Sequence, residues 1–257
     1  FKFAQKEKSM KKMPIRFSTS LFMLIILSSS LLSQSIIPND KLASLKLFDF
    51  GQDRSLLIEI EELVNLKSSD PKASRFMAQE LADLLTSESS YACKQFVCRQ
   101  LAIIGTETQV PILASLLTNE QSADMARYAL VRIDLPSVDK ALLKALSKTS
   151  GHVQIGIINS LGTRRYVGAT KKLGRLLFSK DNDVANAAAL ALGEIGGTRA
   201  CALLKKAFLK DNPERMRAVS DAYLMCAEHF IEDGDLDHAT KIYLYMIENG
   251  KSASSQA

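Results

Sequence analysis

An internal period constrains this chain more than any other feature of its sequence. Leu101-Ala-Ile-Ile-Gly105, Leu130-Val-Arg-Ile-Asp134, Leu161-Gly-Thr-Arg-Arg165 and Leu192-Gly-Glu-Ile-Gly196 begin 29, 31 and 31 residues apart. Each closes a run of apolar residues at three- and four-residue spacing, which is helical periodicity. Each is followed, after a short turn, by a second amphipathic run: Pro111 to Leu117, Val138 to Leu143, Ala169 to Leu177 and Ala200 to Phe208. A helix pair of about thirty residues cannot bury its apolar face alone, so stacking of neighbours must complete the core. The spacing therefore predicts an all-α chain, a solenoid of stacked helix pairs, and no segment reads as a strand.

The expected organisation is a leader over 1–35, a linker over 36–54, the repeat solenoid over 55–210, a different C-terminal cap over 211–250 and a disordered tail over 251–257. Leu56 to Leu66 and Pro71 to Leu85 are the first expected helices of the array, the second opened by Ser69-Asp70 with proline in its first turn. The run Ala185 to Leu192 is rich in alanine, which lets helices of adjacent units approach closely. The glycines at 105, 162 and 196 are expected to end helices in the left-handed conformation. The second unit departs from this pattern, with Asp134-Leu-Pro136 where the others place a glycine turn.

The segments Met125-Ala-Arg-Tyr-Ala-Leu130, Ile155 to Gly162 and Ala188 to Gly197 resemble HEAT-like (armadillo-type) repeats, particularly the short bacterial kind of exported proteins. The resemblance covers about residues 70 to 210 and implies an α-α superhelix that works as a binding scaffold. In exported bacterial examples such an array is often fused to a catalytic or cytochrome domain. Ala227 to Asp235, followed by Ala239, Ile242 and Tyr243, resembles the helix-turn-helix of a tetratricopeptide unit with Gly234-Asp235 as its turn. A lone unit of that kind is expected to cap the solenoid, because terminal repeats are atypical.

The formal net charge of +5 lies wholly in the first 35 residues, where Lys2, Lys6, Lys8, Lys11, Lys12 and Arg16 face Glu7 alone. The remaining residues balance 27 basic against 27 acidic side chains, which argues against a broad nucleic-acid-binding surface. The basic group precedes Leu21-Phe-Met-Leu-Ile-Ile-Leu27, three serines, Leu31-Leu32 and Ser33-Gln34-Ser35. This reads as a cleaved secretory signal. An uncleaved anchor is the alternative, although a spanning helix needs about 20 apolar residues. The expected location is periplasmic or extracellular, with no stable membrane insertion after cleavage. Export permits disulfides, but Cys93 and Cys98 stand roughly 8 Å apart on one helix, beyond bridging range. Small buried thiols are the favoured reading of all four cysteines, with metal or redox use as the alternative.

No nucleophile elbow, phosphate loop or paired histidine ligand site occurs in the sequence. His152, His229 and His238 are separated, so no catalytic residue, cofactor or metal is expected. The distinctive polar cluster is Asn159-Ser160 with Thr163-Arg164-Arg165-Tyr166, and Arg127 and Tyr128 hold a related position one repeat earlier. Equivalent positions of successive repeats form a ridge, so Arg127, Tyr128, Asn159, Arg164, Arg165 and Tyr166 are the candidate binding residues. A second reading has the arginines bonded to helix ends or to carboxylates such as Asp124, because the guanidinium fork serves both purposes. The expected function is non-catalytic protein-protein interaction in the bacterial cell envelope, with a protein as partner. The alternative is an accessory region of a larger exported hydrolase or oxidoreductase.

Overall fold

A computed structural model of the chain describes residues 35–209 and 213–254. The expected leader falls outside these residues except for Ser35. Among the described residues there are thirteen α-helices, two 3-10 turns and no strand. They are α1 Asn39–Leu47, α2 Ser55–Lys67, α3 Pro71–Thr86, α4 Tyr91–Ile104, α5 Val110–Leu116, α6 Ala123–Arg132 and α7 Pro136–Ala145. There follow α8 Gly151–Thr163, α9 Thr170–Leu176, α10 Asn182–Ile195, α11 Gly197–Phe208, α12 Pro213–Glu232 and α13 Leu236–Ser254.

Helix starts follow local chemistry. The Asp70 carboxylate accepts from the Lys72 and Ala73 N–H groups ahead of Pro71, and Asp181 does the same for Asp183 and Val184. Helices α4, α6, α8, α10 and α12 pack each on the next and make one layer. Helices α5, α7, α9, α11 and α13 lie behind, against those first-layer helices. The core runs between the layers. Leu101, Leu130, Leu161 and Leu192 of the first layer and Leu113, Leu142, Leu173 and Leu204 of the second are all 0% exposed. The chain is an α-α superhelix.

Four expectations need correction. Residues 36–54 are no linker: α1 packs on α2 and α4, with Ile37, Leu45 and Phe48 buried. The Ser90 N–H donates to the Lys46 carbonyl at 3.1 Å and its hydroxyl to that of Phe48. The open end of a solenoid needs an apolar cover, and this segment supplies it. Second, the boundary at 210 does not separate a distinct cap, because α12 continues the first layer against α10. Third, α13 runs to Ser254, so 251–254 is helical; no proline interrupts it, and helix propagation adds one hydrogen bond per residue.

The fourth concerns glycine. Of Gly105, Gly162 and Gly196, Gly196 alone has a positive φ, at +67°. Gly105 has φ −63° and is small because a Cβ would stand 2.7 Å from Ile133 Cδ1. Gly162 lies inside α8, where a Cβ would meet Ala191 Cα at 2.8 Å. The residue that turns left-handed after α8 is Arg165, at φ +49°.

Candidate functional site

A groove of about 410 Å³ crosses the exposed side of α4, α6 and α8. Residues four apart share a helix face, so Tyr91, Gln95 and Arg99 line the α4 edge and Asp124, Tyr128 and Arg132 the α6 edge. Each member of the first trio precedes its counterpart by 33 residues. Asn159, Ser160 and Thr163 come from α8, and Cys98, Met125 and Val131 also line the groove. Burial pushes the Cys98 thiol up to about 12, so it is a neutral surface there.

Arg127 is wedged between α6 and α8. Its Nη1 donates to Ser160 Oγ and its Nη2 faces Asp124 Oδ1, both at 3.4 Å, while its buried Nε has no acceptor among the described residues. Gly156 makes room for it: a Cβ there would lie 3.0 Å from Nε. Arg132 stacks on Tyr128, 3.6 Å from the ring centre, and donates Nη1 to the Tyr128 carbonyl at 3.1 Å. Arg99 is exposed and has no hydrogen-bond or ion-pair partner among the described residues. Three guanidinium groups thus face one carboxylate, Asp124. Past Gln95 and Arg99 the groove continues into a recess of about 300 Å³ beside Phe48 and Phe50, where the Phe50 and Tyr91 rings meet at 6.1 Å.

Of the six residues singled out by sequence, Arg127, Tyr128 and Asn159 line this groove and Arg164, Arg165 and Tyr166 do not. Arg164 turns inward to pair with Asp139, the two side chains 10% and 16% exposed. Its Nη1 donates to the Val131 and Ile133 carbonyls at 3.1 and 3.0 Å, and its Nη2 to that of Leu135 at 3.2 Å. The chain leaving α6 lacks a glycine turn, and this guanidinium gathers the Val131, Ile133 and Leu135 carbonyls, the last two of which also accept from the Leu135 and Val138 N–H groups. Of the two readings of the arginines, Arg164 follows the structural one.

Arg165 and Tyr166 close α8. The Arg165 N–H donates to Gly162 O at 2.6 Å and the Tyr166 N–H to Leu161 O at 3.1 Å, a Schellman turn. The Tyr166 ring occupies the space beside Gly168. The Arg165 charge acts on Glu194, whose carboxyl is pushed up by burial and pulled partly back by that arginine. Sequence reading missed Tyr91, Gln95, Arg99 and Arg132. The available signal was the 33-residue offset of the two polar trios, which Arg165 extends to a third position.

The remaining titratable groups lie apart from the groove. His229 faces Glu232, His238 faces Asp235 at 2.7 Å and stacks on Phe230, and His152 faces Glu120. All four cysteines are buried and free. Cys201 and Cys226 meet across α11 and α12, and the Cys226 thiol is pushed up by its hydrogen bond with Cys201 and by burial. Among the described residues no group of three or more His, Cys, Asp or Glu side chains is placed to hold a metal ion, and no helix is long and apolar enough to cross a membrane.

Residues 140–224 match the family model of HEAT repeats. The chain is also similar to the crystal structure of an engineered protein, at 23% identity and a TM-score of 0.41, over 74% of this chain and 98% of that one. No curated protein matches the chain significantly. The matched stretch runs from within α7 into α12, so the segment that carries α8, the alanine-rich α10 and their partners is a HEAT-like helical repeat.

Proposed function

We propose that this protein is a non-catalytic scaffold of the bacterial cell envelope, exported behind residues 1–35, that holds a partner protein in the groove across α4, α6 and α8. HEAT repeats generally mediate protein-protein interaction, which supports the coarse reading. The observation that carries the finer one is the groove itself. It is preformed by three stacked helices and lined by exposed Tyr91, Tyr128, Arg99 and Arg132. Tyrosine and arginine are the side chains that most often anchor interfaces, and a rigid surface loses little entropy on binding. The basic group followed by a short apolar run supports export.

A benzophenone side chain introduced at Tyr128 in native cells tests the groove, with the same group at Lys140 on the second layer as control. A discrete protein adduct from position 128, absent from 140, is expected; equal labelling from both, or none from 128, overturns the assignment. A phosphatase reporter that is active only after export, fused behind residue 36, tests the compartment. An inactive fusion overturns the envelope placement.

A further inference from the structure

Arg99, Arg127 and Arg132 line the groove with Asp124, and Arg54 and Glu61 line the recess into which it continues, whereas residues 36–257 carry equal numbers of basic and acidic side chains. Arg99, Arg132 and Arg165 recur every 33 residues, one on each successive unit. The third acts electrostatically on Glu194, whereas Arg99 and Arg132 form no ion pair among the described residues. Exposed Tyr91 and Tyr128 line the same groove, with half-buried Val131 beside the buried Cys98 and Met125.

We propose that this groove binds an acidic peptide segment of a partner protein, with two carboxylates two residues apart on an extended chain. The spacing follows from geometry. Neighbouring helix axes lie about 8–10 Å apart, and an extended chain advances about 3.3 Å per residue. Carboxylates two residues apart share one face and stand about 6.6 Å apart, and the flexible arginine side chains cover the rest of the step from Arg99 on α4 to Arg132 on α6. Each guanidinium offers a planar fork that matches a carboxylate, and Arg132 is already held in place by the Tyr128 ring. The residue between the two carboxylates points away from the groove. Residues 1–35, with six basic side chains against one acid, and residues 251–257, with no acid, lack this chemistry. Asp124 in the groove and the formally neutral residues 36–257 argue against a nucleic acid.

This inference rests on the scaffold reading, and its test separates the two. A random peptide library is selected on the full chain and on the Arg99→Glu/Arg132→Glu variant, with thermal unfolding of both confirming the fold. Wild-type selection is expected to enrich Asp or Glu at positions two apart. Binding of the enriched peptides should weaken about tenfold or more in the variant, and also as salt is raised. Enrichment without acids, or equal binding to both proteins, overturns the acidic assignment and leaves the groove as a scaffold surface. Absence of any binder overturns it as well, and absence of the position-128 adduct then removes the scaffold reading with it. Displacement of the peptides by single-stranded oligothymidylate at lower concentration than by the peptides themselves would reassign the groove to nucleic acid.

Discussion

The two ends of the first layer are joined by opposite means. From α8 through α10 to α12 the helices meet on Gly162, Ala191, Gly193 and Ala222, where added Cβ atoms would come within 2.8–2.9 Å of a neighbouring Cα. From α4 through α6 to α8 the helices carry tyrosine and arginine, and one guanidinium is wedged between α6 and α8. Small residues bring backbones together and leave nothing on the surface to grip. Long side chains hold helices apart at their exposed edges and create a groove. The same repeat thus makes a rigid seam or a binding surface according to which side chains occupy a few positions on its outer stripe.

The largest expected effect lies at the residue that ties the two regions. Arg164 is buried against Asp139 and three carbonyls, so Arg164→Ala leaves a buried carboxylate without its cation and removes the side-chain donor from the Val131, Ile133 and Leu135 carbonyls. A loss of about 3–5 kcal/mol is expected from urea unfolding. Arg127→Ala is the contrasting case. Its side chain is 32% exposed and both its bonds are long, so a loss of about 1 kcal/mol or less is expected. Equal losses at the two sites would show that the groove arginine is as structural as the buried one.

A single chemical change should have opposite signs at the two seams. Gly193→Ala drives a Cβ to 2.9 Å from the Ala222 backbone, which cannot yield, and about 1–3 kcal/mol of stability should be lost. Gly156→Ala meets only the flexible end of Arg127, and the helix gains up to about 1 kcal/mol of propensity. Unfolding midpoints should therefore move down for the first variant and stay level or rise for the second. Losses of the same size would erase the distinction between a closed seam and a wedged one.

Much of the fold was legible because burial and period coincide: the repeating leucines of both layers are the core. The groove was harder to read for a definite reason. Leu101 and Leu130 are 29 residues apart, whereas the facing polar trios are 33 apart, and the difference is about one helical turn. A slip of one turn keeps every side chain on its face, so periodicity alone cannot choose between the two registers, and the α4 residues went unnoticed. Arg164 and Arg165 show the same limit. They are adjacent in sequence, and which one turns inward is decided by Asp139 and by the carbonyls that converge where the chain leaves α6. The hint was the absent glycine between Asp134 and Pro136. Residues 36–54 read as a linker because one short, weakly patterned helix gives little sequence signal until its neighbours are placed.

Two turns of the same type sharpen the comparison at its finest scale. After α12 the chain reverses through Gly234 at φ +79°, and after α8 through Arg165 at φ +49°. Both turns carry the paired bonds of a Schellman motif, yet a side chain in the left-handed region is strained where glycine is not. Arg165→Gly should therefore stabilise the protein by about 0.5–1 kcal/mol once the greater freedom of glycine in the unfolded chain is set against it. What the arginine supplies in return is charge beside Glu194. Burial raises that carboxyl above its ordinary value, so the folded state holds the proton longer and stability falls as the pH rises through the window between the two values. Arg165 opposes this rise, and removing it deepens the fall. The gain from Arg165→Gly should be largest at acid pH, where Glu194 is protonated in both states, and should shrink toward neutral pH. In a Glu194→Gln background the gain should be the same at both pH values. A gain independent of pH with Glu194 present would mean that the arginine contributes nothing to that carboxyl and is held at the turn for its exposed side chain alone.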